Sequence, residues 1–539
     1  MPENQLAGSA PTQAAALRPA AISHATASRT PSPVAAASAR PPRPRRLAGR
    51  ALRSPWTVTG LIAVAAVAGE MAVSTRYGYH RDELYFLQAG QHLAAGYVDQ
   101  PALTPLAARL ASEVFGGSLA GLRLLPALLL GVLVLVAAAM SRTLGAGRVG
   151  QAVAALAAAT CGEYLGAMHL FTTTALDFTG WALALLCFLR LLASGNPRWW
   201  LAIGGSMGLA AADKWTISVL ALGLVAGLAV TPQRTLLRSR YLLFGLLLAA
   251  ALGAPDVVWQ ASHGWPNLAV FHALSQDAGH NRIVYWPAQA LYTGFALTPV
   301  WLSGLVWCLR SPAARRFRPA GVAAVTVAAV FFALGGKPYY PGAVFLFLFA
   351  AGAVPVERWL ARGRPRRAWL AAAALAVSTA GGAVVALPVM PAGVLRTVPL
   401  QQINYDLAET IGWQQQAALV GRVYRALPPG QRAVTTIVTG NYGEAGALAR
   451  YAPAAGLPTA YSGANNFWYW GPPPARDRSV IAVNLDPALL HRLFSSVRQV
   501  AVFRNGLGVA DDEQGVPVYL ATGLRGSWAA AWPQLKDFS

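Results

Sequence analysis

The chain has 539 residues, of which 55% are hydrophobic and 12% charged, against about 25% charged in ordinary soluble domains. That balance excludes a soluble globular enzyme and predicts a polytopic α-helical membrane protein. The net charge of +22 does not imply nucleic acid, because it gathers in an N-terminal segment and on alternate loops.

Residues 1–54 are rich in Ala, Pro, Ser and Arg and end in ARPPRPRRLAGRALR. With no periodic apolar face, they read as a disordered basic tail. They lack the pattern of a cleavable signal peptide. Their basic end, just before the first apolar run, anchors the N-terminus in the cytoplasm. From 55 to 390 come apolar runs of the length that crosses a ~30 Å hydrocarbon core. They predict helices at 56–75, 119–140, 149–168, 174–193, 199–213, 214–231, 241–259, 287–309, 319–335, 339–356 and 368–389, about eleven spans. The stretch 199–231 reads as one helix or two, and taking two at Asp213-Lys214 puts the basic loops in register.

Those loops carry Arg142 and Arg148, Arg190 and Arg198, Arg234, Arg238 and Arg240, RSPAARRFR at 310–318, and ERWLARGRPRR at 357–367. By the positive-inside bias they face the cytoplasm. The three cysteines, Cys161, Cys187 and Cys308, fall within apolar runs. An odd set of this kind argues against disulfides and a zinc cluster.

After 390 the pattern changes to short β-like runs at 432–440, 479–485, 499–505 and 516–523, with helical stretches around 401–426, 443–452 and 486–496. This predicts a soluble α/β domain over 391–539, placed outside the cytoplasm by an odd number of spans. Its GNYGEAG (440–446) is similar to an anion-binding turn but lacks a full G-x-G-x-x-G, so a plain strand-to-helix turn is the reading. Its SGANNFWYWGPPP (462–474) offers aromatic and amide groups that suit a sugar face or a domain docked onto the membrane surface, with docking favoured.

The segments on the other side, 76–118 and 260–286 with short ones near 169–177, 213–214 and 335–341, collect the ionisable residues. They are Asp82, Glu83, Asp99, Glu113, Asp177, Asp213, Asp277, Lys214 and Lys337, with His80, His92, His169, His263, His272 and His280. Ionisable groups near membrane depth are costly and face a cavity or one another, so this clustering predicts a site at the outer face. Asp82 and Glu83 fit a general base with a hydrogen-bonding or metal-binding partner, or helix-start acids stabilised by the dipole. Asp177, inside an apolar helix start, is not explained by solvation. Lys337, in GGKPYYPGAVFLF, either snorkels to headgroups or binds a lipid phosphate. Tyr339 and Tyr340 beside it also suit an interfacial belt. The histidines lack a tight metal-binding spacing.

The Asp-Glu pair opening the first loop, followed by Tyr85 and the QAGQHLAAGYVDQPALTPL stretch, resembles the polyprenyl-phosphate-sugar-dependent glycosyltransferases of the GT-C fold. More narrowly, it is similar to glycosyltransferase family 39, with protein O-mannosyltransferases and aminoarabinose transferases of the ArnT type, over about residues 55–390. The resemblance implies that Asp82 is the base that deprotonates the acceptor, with Glu83 its neighbour and Asp177 the second-loop acid. It also implies that Lys337, with Tyr339, Tyr340 and Pro341, lies near the donor phosphate. Relatives often carry a lysine before the Pro-x-Leu of the first loop. Here Asp99-Gln100-Pro101-Ala102-Leu103 has none, which leaves Lys337, Arg81 or Lys214 to hold the phosphate. The implied reaction moves a sugar from a polyprenyl-phosphate donor to a protein, lipid or polysaccharide hydroxyl, with inversion and without a required metal or other cofactor. The Ala/Arg/Gly/Pro-heavy usage resembles that of a high-GC bacterium. A transporter or flippase of lipid-linked precursors is the alternative, and would show repeats and broken helices. A scaffold that binds cell-wall glycans is a third.

Overall fold

The computed structural model describes residues 55–398 and 400–538. The tail expected over 1–54 lies outside them. In chain order, α1 (Pro55–Val73) leads into a first loop that carries α2 (Arg81–Gln91) and α3 (Leu103–Phe115). Then come α4 (Leu119–Thr143), α5 (Arg148–Thr160), α6 (Gly162–His169), α7 (Thr173–Ser194), α8 (Trp199–Ala211), α9 (Ile217–Ala229) and α10 (Arg240–Ser262). The series ends with α11 (Asn267–Ser275), α12 (Ala278–Thr293), α13 (Thr298–Arg310), α14 (Arg318–Leu334), α15 (Gly342–Leu360) and α16 (Pro365–Ala386).

Every expected apolar run is helical, but among the described residues seven helices are long and apolar enough to cross a membrane: α1, α4, α7, α10, α14 with the turn before it, α15 and α16. An eighth span arises if the bent pair α12–α13 counts as one. This corrects the expected eleven, and the causes are local. The run at 149–168 breaks at Cys161, whose extended backbone (φ −68°, ψ 120°) separates α5 from α6. The halves α8 and α9 have 13 residues each, about 20 Å at 1.5 Å per residue, short of a ~30 Å core. The run at 287–309 bends by 108° between α12 and α13, where Gly294 takes φ +91°, a conformation open chiefly to glycine.

The centre of the bundle is α15, buried without interruption from Gly342 to Val354 and packed against α4, α7 and α13. Cys161 and Cys308 are buried and all three cysteines are free, as small residues in apolar runs should be.

The C-terminal region builds a five-stranded sheet from β1 (Thr435–Thr439), β2 (Ala460–Ser462), β3 (Ser479–Val483), β4 (Phe494–Val502) and β5 (Pro517–Leu524), in the order β2-β1-β3-β5-β4. The first three strands are parallel, with Ile437 opposite Ile481, and β5 runs antiparallel to both β3 and β4. Strands β1 and β3 are buried along their whole length, the mark of a sheet covered on both faces. Ile437, Ile481 and Val518 face one apolar layer with α17 (Trp413–Arg425), while Val438, Val480 and Ala482 face the other.

This domain is joined to the helical part by α18 (Tyr442–Ala455), which lies on α2. The glycines of GNYGEAG make that approach possible. A Cβ on Gly446 would sit 2.9 Å from the Leu84 backbone, and one on Gly443 2.7 Å from Arg81 Cβ. The turn's own Glu444 accepts the Gly440 and Asn441 amides, each at 3.1 Å, so the anion position at the helix start is filled from within. The aromatic segment, expected to dock on the membrane surface, packs on the first loop: Asn466 accepts the Val98 amide at 2.6 Å. Phe467 and Trp470 pack on Tyr85, and Trp470 stacks on His92 with centroids 4.4 Å apart.

Candidate functional site

His80 caps α2 with Nδ1, which accepts the Asp82 amide at 3.2 Å, while Glu83 Oε2 accepts the His80 amide at 2.8 Å. This reciprocal cap turns the two adjacent carboxylates in different directions. Glu83 is fully buried and receives Arg123 Nε at 2.8 Å on Oε1, Arg123 Nη2 at 2.8 Å on Oε2, and the Phe171 amide at 2.9 Å. Arg123, itself buried, also donates to the carbonyls of Ser74 at 2.7 Å and Gly78 at 2.8 Å. Glu83, expected beside Asp82 in the chemistry, is thus held by Arg123 and the Phe171 amide at the helix start on which Asp82 stands.

Asp82 remains open, with its side chain 32% exposed. Oδ1 accepts the Tyr442 hydroxyl at 2.9 Å, from the first residue of α18. Oδ2 faces His80 Nδ1 at 3.9 Å, and His80 Nε2 faces Asp406 Oδ1 at 3.6 Å. Asp99 lies in the same polar cluster, accepting the Tyr85 hydroxyl at 2.9 Å. The rings of Tyr85 and Tyr442 are 5.0 Å apart. Burial raises the Asp99 carboxyl to about 7, against the lowering effect of the Tyr85 bond.

A second group consists of lysines and tyrosines. Lys214 Nζ stands 5.5 Å from the Tyr339 ring and 5.1 Å from that of Tyr340, distances that suit cation–π attraction. Lys337 lies within electrostatic range of the same tyrosines, of Lys214 and of Asp82, and also of Asp406. Among the described residues neither lysine forms an ion pair with a carboxylate. Asp177 is buried and accepts Trp181 Nε1 at 2.9 Å and the Thr216 hydroxyl at 2.9–3.0 Å. It thereby fixes the turn that carries Lys214. Thr104, at the start of α3, clasps the same turn by donating to Asp213.

Arg81, a candidate for holding the phosphate, faces the C-terminal domain. It pairs with Asp512 at 3.1 Å and Glu409 at 3.6 Å and lies over the rings of Tyr405 and Tyr442, so its charge is already met by the C-terminal domain. The residues that sequence reasoning missed, Tyr442 and Asp406, come from that domain. They are 360 and 326 positions away from Asp82 and His80 respectively, and nothing local in the sequence marks them. Among the described residues no three His, Cys, Asp or Glu side chains are grouped as a metal site.

An open carboxylate and two lysines without a carboxylate ion pair thus lie where the helical bundle meets the α/β domain. Residues 99–259 match the family described as dolichyl-phosphate-mannose-protein mannosyltransferase. The segment includes Asp99, Asp177 and Lys214. The fold is similar to ArnT from Cupriavidus metallidurans bound to undecaprenyl phosphate, at 18% identity and TM-score 0.52, and to its apo state at 16% identity and TM-score 0.55. Each likeness covers 85% of this chain and 97% of the other. No curated protein matches the chain in sequence. The chain is thus a polytopic helical membrane protein whose fold is similar to that of ArnT, the GT-C fold that its first loop implied.

Proposed function

We propose that the protein transfers a sugar from a polyprenyl-phosphate donor to an acceptor hydroxyl at the outer face of the membrane, with its N-terminus in the cytoplasm and the C-terminal domain outside. The observation that carries this reading is the open Asp82 carboxylate within electrostatic range of Lys337, whose neighbouring tyrosines Lys214 also faces. A lipid-linked donor holds its reactive carbon at the headgroup plane, where helix ends meet the C-terminal domain. Asp82 removes the acceptor proton as general base. The acceptor oxygen then attacks the anomeric carbon from the side opposite the leaving group, so the anomer inverts. The leaving oxygen departs with its electron pair as a phosphate whose charge is met by Lys337 and Lys214. Tyr339 and Tyr340 flank Lys214, while Asp177 positions it.

The test is incubation of the purified protein with a panel of polyprenyl-phosphate sugars, following donor consumption and release of the polyprenyl phosphate. Asp82→Asn should abolish release at unchanged expression and unfolding temperature; near-normal release would remove Asp82 from the mechanism. The breaks at Cys161 and between α12 and α13 are features that a transporter of lipid-linked precursors also shows. Donor crossing vesicles intact, with no sugar released, would favour that second reading.

A further inference from the structure

His80 is left without a task by the transfer chemistry, yet it is 3% exposed and stands between two carboxylates. Its Nδ1 accepts the Asp82 amide at 3.2 Å, so that nitrogen carries a lone pair and the neutral ring bears its hydrogen on Nε2. Nε2 points toward Asp406 Oδ1, 3.6 Å away, and the Asp406 side chain is 58% exposed. Distances of this kind are often long in an unliganded enzyme and tighten on substrate binding. On the other side of Asp82, Tyr442 donates to Oδ1. Burial, with Asp82 next in effect, holds the Tyr442 phenol well above its usual range, so it stays a donor.

We propose that Tyr442, His80 and Asp406 are positioning residues that give the two oxygens of Asp82 different tasks. Tyr442 holds Oδ1, and a neutral His80, its hydrogen drawn to Asp406, leaves Oδ2 free to take the acceptor proton. The inference rests on Asp82 being the base. In the transfer step the acceptor O–H proton passes to Oδ2 while the acceptor oxygen bonds to the anomeric carbon. The bond from that carbon to the phosphate oxygen breaks with its electron pair on the oxygen. Protonation of His80 reverses the arrangement: an N–H on Nδ1 faces Oδ2 and competes with the acceptor for it.

The groups that face His80 set where this happens. Asp82, Glu83 and Arg81 are on its own helix, Asp406 and Glu409 on the neighbouring turn, and both Arg81 and Lys337 act on Asp406. Burial alone would lower the imidazole, but the carboxylates of Asp406, Asp82 and Glu83 outweigh it and hold His80 above its ordinary value. Activity therefore falls as pH falls through the His80 transition, and the acid limb of kcat/KM belongs to His80.

His80→Asn separates this role from the helix cap, because Asn caps as well but does not titrate. In His80→Asn and in Asp406→Asn the acid limb should move to lower pH, with donor KM unchanged. Tyr442→Phe should lower kcat by roughly 10- to 100-fold, the range for one hydrogen bond to a charged group, at constant donor KM. Acid limbs that coincide with the wild type in both Asn variants, together with a wild-type rate in Tyr442→Phe, would overturn the inference. If Asp82→Asn is inactive in the same assay, the proposed function survives that outcome; an active Asp82→Asn would overturn this inference and remove Asp82 from the mechanism, while the transfer itself would stand.

Discussion

Asp82 and Glu83 are neighbours in sequence, and the structure gives them opposite phenotypes. In Glu83→Gln the side-chain oxygen can still accept Arg123 Nε and the Phe171 amide. The new NH2 group then meets Arg123 Nη2 and the His80 amide, two donors that Oε2 now receives at 2.8 Å each. An unsatisfied buried donor costs on the order of 1–3 kcal/mol, and more when charged. Removing one partner of a buried ion pair costs about 3–5 kcal/mol. The two routes agree, so Glu83→Gln should destabilise the protein by about 3–5 kcal/mol. The readout is the unfolding temperature in detergent, by size-exclusion chromatography after heating, with transfer measured per folded molecule. The expected result is a lower unfolding temperature and reduced folded yield, with transfer by the surviving folded fraction falling far less than in Asp82→Asn. A Glu83→Gln protein that unfolds like the wild type yet transfers nothing would refute the reasoning and return Glu83 to the chemistry.

Lys337→Met and Lys214→Met should each raise the donor KM by roughly tenfold or more, the scale of a contact to a charged group; unchanged KM in both would remove them from phosphate binding. Gly446→Ala places a methyl 2.9 Å from the Leu84 backbone and should cost about 1–3 kcal/mol as overpacking, with a matching loss of transfer because Tyr442 is carried on the same helix. A wild-type unfolding temperature would show that α18 docks more loosely than the structure has it. Asp99 titrates near 7 in the folded protein and near 3.9 unfolded, so between these values the folded state holds the extra proton. Its contribution to stability is present at low pH and is lost as pH rises toward 7. Asp99→Asn should flatten the fall in unfolding temperature between pH 5 and 7.5, leaving the share of Glu409, which burial also raises to about 7. Transfer should persist in EDTA, since two lysines meet the phosphate charge; a loss restored by Mg²⁺ or Mn²⁺ would refute this.

Much of the architecture follows from local properties of the chain. The length and polarity of each apolar run decide where a helix forms, which is why every expected run is helical. The alternation of β-like and helical segments after 390 is enough to announce an α/β domain. The apolar runs outnumber the long helices because a break such as Cys161 or the bend at Gly294 is a backbone conformation that mean apolarity does not register. The candidate site was legible to the extent that it rests on residue types out of place: Asp82, Asp177 and Lys337 stand where solvation alone would not put them. What only tertiary structure decided is which neighbour does what. Arg123, forty residues on, claims Glu83, and the carboxylates of the C-terminal domain claim Arg81. Tyr442 and Asp406 reach the Asp82–His80 pair from across the whole helical part. Hydrogen-bond partners of this kind are set by the meeting of distant surfaces, and periodicity or spacing along the chain carries no record of them.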